Sequence, residues 1–279
     1  RNGAAIAGAT SLTYTLVQAD VGSVITVIAS YTDGQDTVES VTSSATDAVA
    51  NVNDAPTGAV TISGTAREDE TLTASNNLAD EDGLGNISYQ WNRGGEAING
   101  ATSSTYTPEQ VDVSSVITVT ASYTDAQGTD ESVTSAVTVQ VVNVNDVPIG
   151  VVTISGIATE DEILTASNTL ADEDGLGTIS YQWSRGGVAI DGATASTHTL
   201  TQADVGSTIT VTASYTDGKG TAESVTSDPT AVVVNVNDTP TGTVTISGTA
   251  REDETLTGSN SLADEDGIGT ISYQWSRSG

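Results

Sequence analysis

The sequence predicts an all-β protein built from tandem β-sandwiches, and three observations predict it. A block of 92 residues recurs: NVND begins at Asn51, Asn143 and Asn235, ADEDG at Ala79, Ala171 and Ala263, and SYQW at Ser88, Ser180 and Ser272. A fixed period of this kind means one folding unit used repeatedly. Each block also holds β-branched, period-two runs bounded by Gly, Asn and Asp, such as Val60-Thr61-Ile62, Ile87-Ser88-Tyr89-Gln90-Trp91 and Ile117-Thr118-Val119-Thr120, which is the pattern of half-buried strands. No helix is signalled, and no apolar run reaches the ~18 residues of a membrane-spanning helix.

The elements follow in order within the block that starts at Asn51. Residues 51–58 are a polar connector containing Pro56, and Ala59 to Ser63 reads as the first strand. The acidic turn Arg67-Glu68-Asp69-Glu70 leads into a second strand at Thr71-Leu72-Thr73-Ala74, and the Gly-rich acidic loop 76–86 precedes the strand that carries Trp91. After the Arg93-Gly94-Gly95 turn come short strands near Ala97-Ile98 and Ser104 to Thr107. A hairpin of two long strands, Val116 to Thr124 and Thr129 to Val142, closes the block, its turn Asp125-Ala126-Gln127-Gly128 carrying the Gly of a hairpin loop. The expected domains are the C-terminal part of a repeat at 1–50, complete repeats at 51–142 and 143–234, and the N-terminal part of a repeat at 235–279. Arg1-Asn2-Gly3 aligns with Arg93-Gly94-Gly95, and Arg277-Ser278-Gly279 falls at the same turn. Two readings of these ends stay open: a window in a longer array, or molecules that complete one another head to tail by strand exchange, a non-closing contact that makes filaments.

Seven Lys plus Arg stand against 37 Asp plus Glu, a formal net charge of −30. That balance argues against nucleic acid and anionic membranes as partners and points to cations. Cys is absent, so no disulfide stabilises the blocks and no thiol can serve as nucleophile or soft-metal ligand. The 279 residues amount to three periods and three residues, which leaves no non-repetitive stretch for a separate catalytic domain.

Several short strands with one Trp on the third main strand describe an immunoglobulin-like sandwich. YQWNRGGEAING (Tyr89 to Gly100) resembles the immunoglobulin strand with its central Trp. Leu16, Asp20 and Gly22 in TLVQADVGSVITV resemble the corner before the sixth strand, with Val24 and Thr26 where the family has Tyr and its second Cys. Trp91, Trp183 and Trp275 are accordingly read as core residues. Across the whole chain, NVNDAPTG, TLTASN, LADEDGLG, ISYQW and TLTQADVG resemble the tandem Ig-like, cadherin-like repeats of giant bacterial surface adhesins exported by type I secretion, the RTX adhesins. The resemblance implies tandem immunoglobulin-like β-sandwiches joined end to end, an extracellular location and a calcium-rigidified extender region.

In such a sandwich, acidic loops distant in sequence converge at the domain ends. Around the connector at Asn143 the expected set is Glu68, Glu70 and Asp112 of the repeat before, Asn145 and Asp146 of the connector, and Asp172, Asp174 and Asp217 of the repeat after. The matching residues are Asp54, Asp80, Asp82 and Asp125 at the connector before, and Glu160, Glu162, Asp204, Asn237, Asp238, Asp264 and Asp266 at the one after. So many carboxylates repel unless a cation joins them. Calcium takes six to eight oxygen ligands without rigid geometry, magnesium keeps more of its waters, and transition metals favour His or Cys. The set is similar to the cadherin junction, Asp172 and Asp174 matching its D-x-D step and Asn145-Asp146 its N-D step, while Gln110 and Asp112 stand where its Arg–Glu corner motif is missing. No loop has the EF-hand spacing. A solvated loop with Asx-type turns is the plainer reading of Asp80-Glu81-Asp82-Gly83.

Two other function classes stand beside the extender. An enzyme needs an acid, base or nucleophile in a concave site; the single His, His198, sits where the other repeats have Tyr14 and Tyr106 and reads as a strand residue, and Lys219 reads as a solvated hairpin tip. A module binding glycans or a surface through end loops is the other, although junctions would occupy those loops.

Overall fold

A computed structural model describes residues 1–277; Ser278 and Gly279 of the closing turn lie outside the described residues. The chain divides into two compact units, Arg1–Val144 and Asn145–Gly279. Both are all-β, with antiparallel sheets throughout.

In the first unit the strands are β1 (Ile28–Thr32), β2 (Val38–Thr42), β3 (Val60–Ser63), β4 (Leu72–Asn76), β5 (Ser88–Arg93), β6 (Glu96–Ala97), β7 (Thr105–Tyr106), β8 (Ile117–Thr124) and β9 (Asp130–Thr134). β1 and β2 form a two-stranded sheet, β3-β4-β7 a three-stranded one and β6-β5-β8-β9 a four-stranded one. The last two enclose a core of Val60, Leu72, Leu78, Trp91, Ile117, Val119 and Tyr123 among others. The second unit repeats this with β10 (Val152–Ser155), β11 (Ile163–Asn168), β12 (Ser180–Arg185), β13 (Val188–Ala189), β14 (Thr197–Thr199), β15 (Ile209–Thr216) and β16 (Ala222–Thr226), and adds β17 (Val244–Ser247) and β18 (Thr257–Asn260). Its sheets are β10-β11-β14, β13-β12-β15-β16 and β17-β18.

Period-two burial explains the strands. Along β8 every second residue, from Ile117 to Tyr123, is buried while Thr118, Thr120 and Ser122 face outward, because alternate side chains of a strand point to opposite faces. Trp91 and Trp183 are fully buried, pair with Val119 and Val211, and donate their indole N–H to the Ser103 and Ala195 carbonyls at 2.9 Å. Trp275, on the same motif, is 50% exposed, because the strands that cover the other two have no counterpart in 235–277.

The second long strand of the hairpin is shorter than its sequence suggests. Regular pairing ends at Thr134, after which Val119 N donates to Ser135 Oγ at 3.1 Å and Ile117 N to Thr138 Oγ1 at 3.0 Å. Hydroxyls stand in for backbone acceptors here, while Ser135 N and Thr138 N still donate to the Val119 and Ile117 carbonyls at 2.9 and 3.0 Å. The chain then runs parallel to the corner and the acidic turn, bridging Val141 to Val113 and Val142 to Arg67. The structure also has one-turn 3-10 segments at Gln18–Asp20, Gln110–Asp112 and Gln202–Asp204, which the strand pattern did not signal.

Candidate metal centres

The ADEDG loop is the base of each candidate centre. Asp80 Oδ1 accepts the Asp82 N–H at 2.8 Å, an Asx turn that competes well with any strand ladder. Asp80 Oδ2 takes the hydroxyl of Tyr123, from the end of the core strand β8, at 2.5 Å. The loop lies flat on that strand end because Gly85 has no side chain; a Cβ there would sit 2.0 Å from the Thr124 carbonyl oxygen. Ala126 N donates to the Gly83 carbonyl at 3.2 Å, which ties the loop to the β8–β9 turn and brings Asp125 beside it.

The connector is laid across this end. Asp54 N donates to Asp82 Oδ2 at 2.7 Å and the Asn53 amide to Glu131 Oε1 at 2.7 Å. Gln18 reaches the same loop, donating to Asp82 Oδ1 at 2.6 Å. A groove of ≈ 360 Å³ opens between connector and loop, lined by Asp54, Thr57, Asp80 and Glu81 among others. The second unit repeats the arrangement: Asp172 accepts Asp174 N at 2.9 Å and the Tyr215 hydroxyl at 2.5 Å, Asp146 N donates to Asp174 Oδ2 at 2.9 Å, and Asn145 donates to Glu223 Oε1 at 2.8 Å. Burial, followed by the hydrogen bond to Asp80 or Asp172 and by the charges of Asp80, Glu131 and Asp125 or Asp172, Glu223 and Asp217, pushes the Tyr123 and Tyr215 hydroxyls up.

Asp125 and Asp217 are each 6% exposed. One oxygen of each is used: Asp125 Oδ1 accepts Gln127 N and Thr129 N at 2.9 and 2.7 Å, and Asp217 Oδ1 accepts Lys219 N and Thr221 N at 2.8 Å. The other oxygen, Oδ2, is buried with no hydrogen-bond partner in either residue, as are Oδ1 of Asn51 and of Asn143. An unsatisfied buried carboxylate oxygen carries its full desolvation cost, and a cation with oxygen ligands removes that cost. Both carboxyls stay below the ordinary range. For Asp125 the Thr129 N–H is the main cause; for Asp217 burial opposes ionisation, but the N–H groups of Thr221, Lys219 and Gly220 outweigh it.

A further group forms within the second unit, where carboxylate oxygens of Glu160, Asp238 and Glu265 lie within 4.8 Å of one another. Glu160 is buried and accepts Val236 N at 3.1 Å. With its amide nitrogen turned inward, Gln202 donates to Glu160 Oε1 and Oε2 at 2.7 and 3.0 Å and to Asn235 Oδ1 at 3.1 Å. Asp238 N donates to Asp266 Oδ2 at 2.9 Å, and Asp264 Oδ1 accepts Asp266 N at 3.0 Å. Desolvation first, then the charges of Asp266, Asp161 and Asp264, raise the Asp238 carboxyl. A cation here would offset that repulsion.

The remaining expected ligands are placed as follows. Glu68, 2% exposed, accepts Val144 N at 3.0 Å, while Glu70 makes an exposed pair with Arg67 at 3.3 Å and Glu162 is exposed on the equivalent turn. Asn237 donates to the Asp238 carbonyl at 2.9 Å. Asp112 and Asp204 differ from the expectation: both are fully buried inside their own sandwich. Asp112 accepts from Arg93 Nε at 2.5 Å, Tyr106 at 2.5 Å and Glu109 N at 2.8 Å. Asp204 accepts from Arg185 Nε at 2.7 Å and Thr201 N at 2.9 Å and meets His198 Nε2 at 3.3 Å. Enclosed at 0% exposure and paired with Arg93 and Arg185, these two carboxylates lock the corner of their own sandwich. His198 is thus a strand residue beside Trp183, ring centroids 5.6 Å apart. Residues that strand and loop patterns passed over are Glu131, Glu223, Glu265 and the corner glutamines Gln18 and Gln202; the first two recur at the 92-residue spacing, and Glu265 is the middle acid of ADEDG.

Acid titration tests the corner. Burial opposes the ionised form of Asp204, but Arg185 and the Thr201 N–H and hydroxyl outweigh it and hold its carboxyl below the usual range. A folded value below the unfolded one contributes stability that is fully present above about pH 4 and is lost as the pH falls through the folded value. Asp204→Asn should therefore be less stable than the parent at pH 7 and lose less between pH 5 and pH 2, measured by urea unfolding across that range. Parallel pH curves for the two proteins would rule this assignment out.

No family model matches the chain, and no curated protein matches it. Among solved structures it is similar to a Ca2+-stabilized adhesin that helps an Antarctic bacterium reach out and bind ice, with 16% identity, a TM-score of 0.28, and coverage of 82% of this chain and 60% of that one. It is similar to a tetra-tandem repeat in the extending region of a large adhesion protein, with 18% identity, a TM-score of 0.26, and coverage of 86% and 64%. It is also similar to three N-terminal domains of the highly immunogenic outer capsid protein of bacteriophage RB49, with 16% identity, a TM-score of 0.24, and coverage of 77% and 73%. Among the described residues no helix is long and apolar enough to cross a membrane.

Proposed function

We propose that this chain is a non-catalytic extender segment of a secreted bacterial surface adhesin of the RTX type, and that calcium stiffens its repeats at their acidic ends. The folding unit in this reading is the Ig-like repeat, complete at 51–142 and 143–234 and partial at 1–50 and 235–279. The observation that carries it is the buried Oδ2 of Asp125 and of Asp217, without a protein partner and set in the same acidic loop cluster in both units. Asp125, Asp80, Glu131 and Asp54 would hold an ion in the first unit and Asp217, Asp172, Glu223 and Asp146 in the second, with Glu160, Asp238 and Glu265 at the third cluster. An all-oxygen, carboxylate-rich donor set suits calcium. The bound ion supplies charge neutralisation among carboxylates and a fixed geometry for the connector laid on them.

Extracellular calcium modules bind at roughly 0.1–1 mM, so such sites fill outside a cell and empty in the cytosol. Without the ion, self-repulsion across a chain of net charge −30 favours loose connectors and an exportable chain. Small-angle scattering tests this: a longer, stiffer particle is expected in millimolar calcium than in chelator, and superimposable profiles would reject the stiffening role.

A second reading, a filament subunit completed by strand exchange, draws on exposed core positions. Val27 is 67% exposed where Val119 and Val211 are buried, and Trp275 is 50% exposed. In this reading strands of neighbouring repeats, from the same longer polypeptide or from another copy, cover them.

A further inference from the structure

Asn-Gly steps occur at Asn2-Gly3 and at Asn99-Gly100, and the structure sets them in opposite situations. Both atoms of the Asn2 amide are engaged: Nδ2 donates to Ser23 Oγ at 3.1 Å and Oδ1 accepts Val24 N at 3.0 Å. Asn99 is exposed, and among the described residues neither its side chain nor the Gly100 N–H has a hydrogen-bond partner. Nothing lies within 4 Å of the place that a Cβ on Gly100 would take. Water therefore has open access to the Asn99 amide and to the nitrogen that follows it.

Asn99 sits in the turn between β6 and β7. Ala101 N closes the turn on the Ile98 carbonyl at 3.2 Å with Gly100 at φ +76°, a conformation that glycine adopts without a Cβ penalty. The flanks of the turn are fastened to the core strand β5. Ile98 N donates to the Trp91 carbonyl and Trp91 N to the Ala101 carbonyl, both at 2.9 Å, and the Gln90 amide reaches the Ile98 carbonyl at 2.8 Å. The same turn recurs with Asp191-Gly192 and with Ala7-Gly8, the glycines at φ +72° and +76° and the closing bonds at 3.1 and 3.2 Å. Only the residue before the glycine changes, so the turn itself accepts an amide, an acid or a methyl group.

We propose that Asn99 is a site of spontaneous covalent modification, converting to aspartate and isoaspartate with water as the only co-reactant. The Gly100 nitrogen gives its proton to solvent and bonds to Asn99 Cγ. The Cγ–Nδ2 bond breaks, the side-chain nitrogen takes up a proton and leaves as ammonia, and a succinimide ring closes. Water then adds to one ring carbonyl. Opening at Cγ gives aspartate, the residue that the second unit already carries at this turn. Opening at the main-chain carbonyl gives isoaspartate, in which the chain runs through Cβ and Cγ and gains a backbone carbon. Overall, water enters, ammonia leaves, and a neutral amide becomes a negative charge. The aspartyl form fits the turn. The isoaspartyl form lengthens a loop whose flanks are both held by Trp91, and so works against the first sandwich. The second unit, with Asp191 in place, has no amide to lose here, and the reaction is independent of the acidic ends and of calcium.

Ageing the full chain at mildly alkaline pH in heavy-oxygen water, followed by peptide mapping with mass spectrometry, tests this. The Asn99 peptide should gain the acid mass with a heavy oxygen, in aspartyl and isoaspartyl forms. It should do so at least ~10-fold faster than Asn2, whose amide must first give up its hydrogen bonds to Ser23 and Val24. The melting point of the first unit should fall as isoaspartate accumulates, while an Asn99→Ala variant, carrying the residue of the turn at Ala7, keeps its own. An Asn99 that stays an amide would overturn the proposal, as would an Asn2 that converts equally fast. So would an equal fall in parent and variant, which traces the loss to another residue.

Discussion

Trp183→Ala is expected to cost the second unit about 3–5 kcal/mol, the range for deleting a fully buried Trp. Trp183 is 0% exposed and is held by its indole hydrogen bond to the Ala195 carbonyl. Its removal leaves a cavity in the core that it shares with Leu164, Leu200 and Val211. For a domain of about 60–100 residues each kcal/mol moves the melting point by about 4–8 °C, so the loss should be plain by calorimetry. Trp275→Ala sits in the same SYQW string, yet half of its side chain is solvated, and surface changes fall near ±0.5 kcal/mol. Equal losses from the two substitutions would mean that 235–277 has a complete core of its own, contrary to the exposure of Trp275.

Chelating calcium is expected to lower the melting point of both units. With sites of roughly 0.1–1 mM affinity, 10 mM calcium adds about 1.4–2.7 kcal/mol per ion by mass action. Asp217→Asn keeps an acceptor for Thr221 N and Lys219 N but removes the charge at the buried Oδ2. It should reduce the calcium shift of the second unit, whose cluster of Glu160, Asp238 and Glu265 is untouched, and leave that of the first, where Asp125 is intact. Calorimetry in calcium, magnesium and chelator separates the cases. Identical melting points in calcium and chelator would sink the calcium reading, whereas a shift unaltered by Asp217→Asn would move the ion away from this carboxylate.

Much of the architecture was legible in the chain. The strand that carries Trp91, the acidic loop at Asp80 and the hairpin turn at Asp125 lie where the period-two runs and the Gly and Asp punctuation put them. The strand after Thr129 was over-read, because Val and Thr continue past Thr134 while the hydroxyls of Ser135 and Thr138 replace backbone acceptors along β8, a switch that composition does not record. The acidic residues were harder to sort. Asp112 and Asp125 are both turn aspartates, yet one is enclosed by Arg93, Tyr106 and Glu109 N and the other keeps a buried oxygen unused. Glu131 looked like an ordinary strand residue, and only the amide of Asn53 reaching across to it at 2.7 Å marks it as part of the connector's seat.

By itself the sequence determined the 92-residue period, the all-β class, the core-facing side of β8 and β15 and the large negative charge, because side-chain alternation and turn chemistry act between residues close in the chain. Only the tertiary structure decided which carboxylates meet: Glu160, Asp238 and Glu265 come within 4.8 Å from separate stretches of chain, and Asp112 turns inward. Those encounters depend on sheet pairing and on which oxygens the backbone has already satisfied, and neither quantity is local.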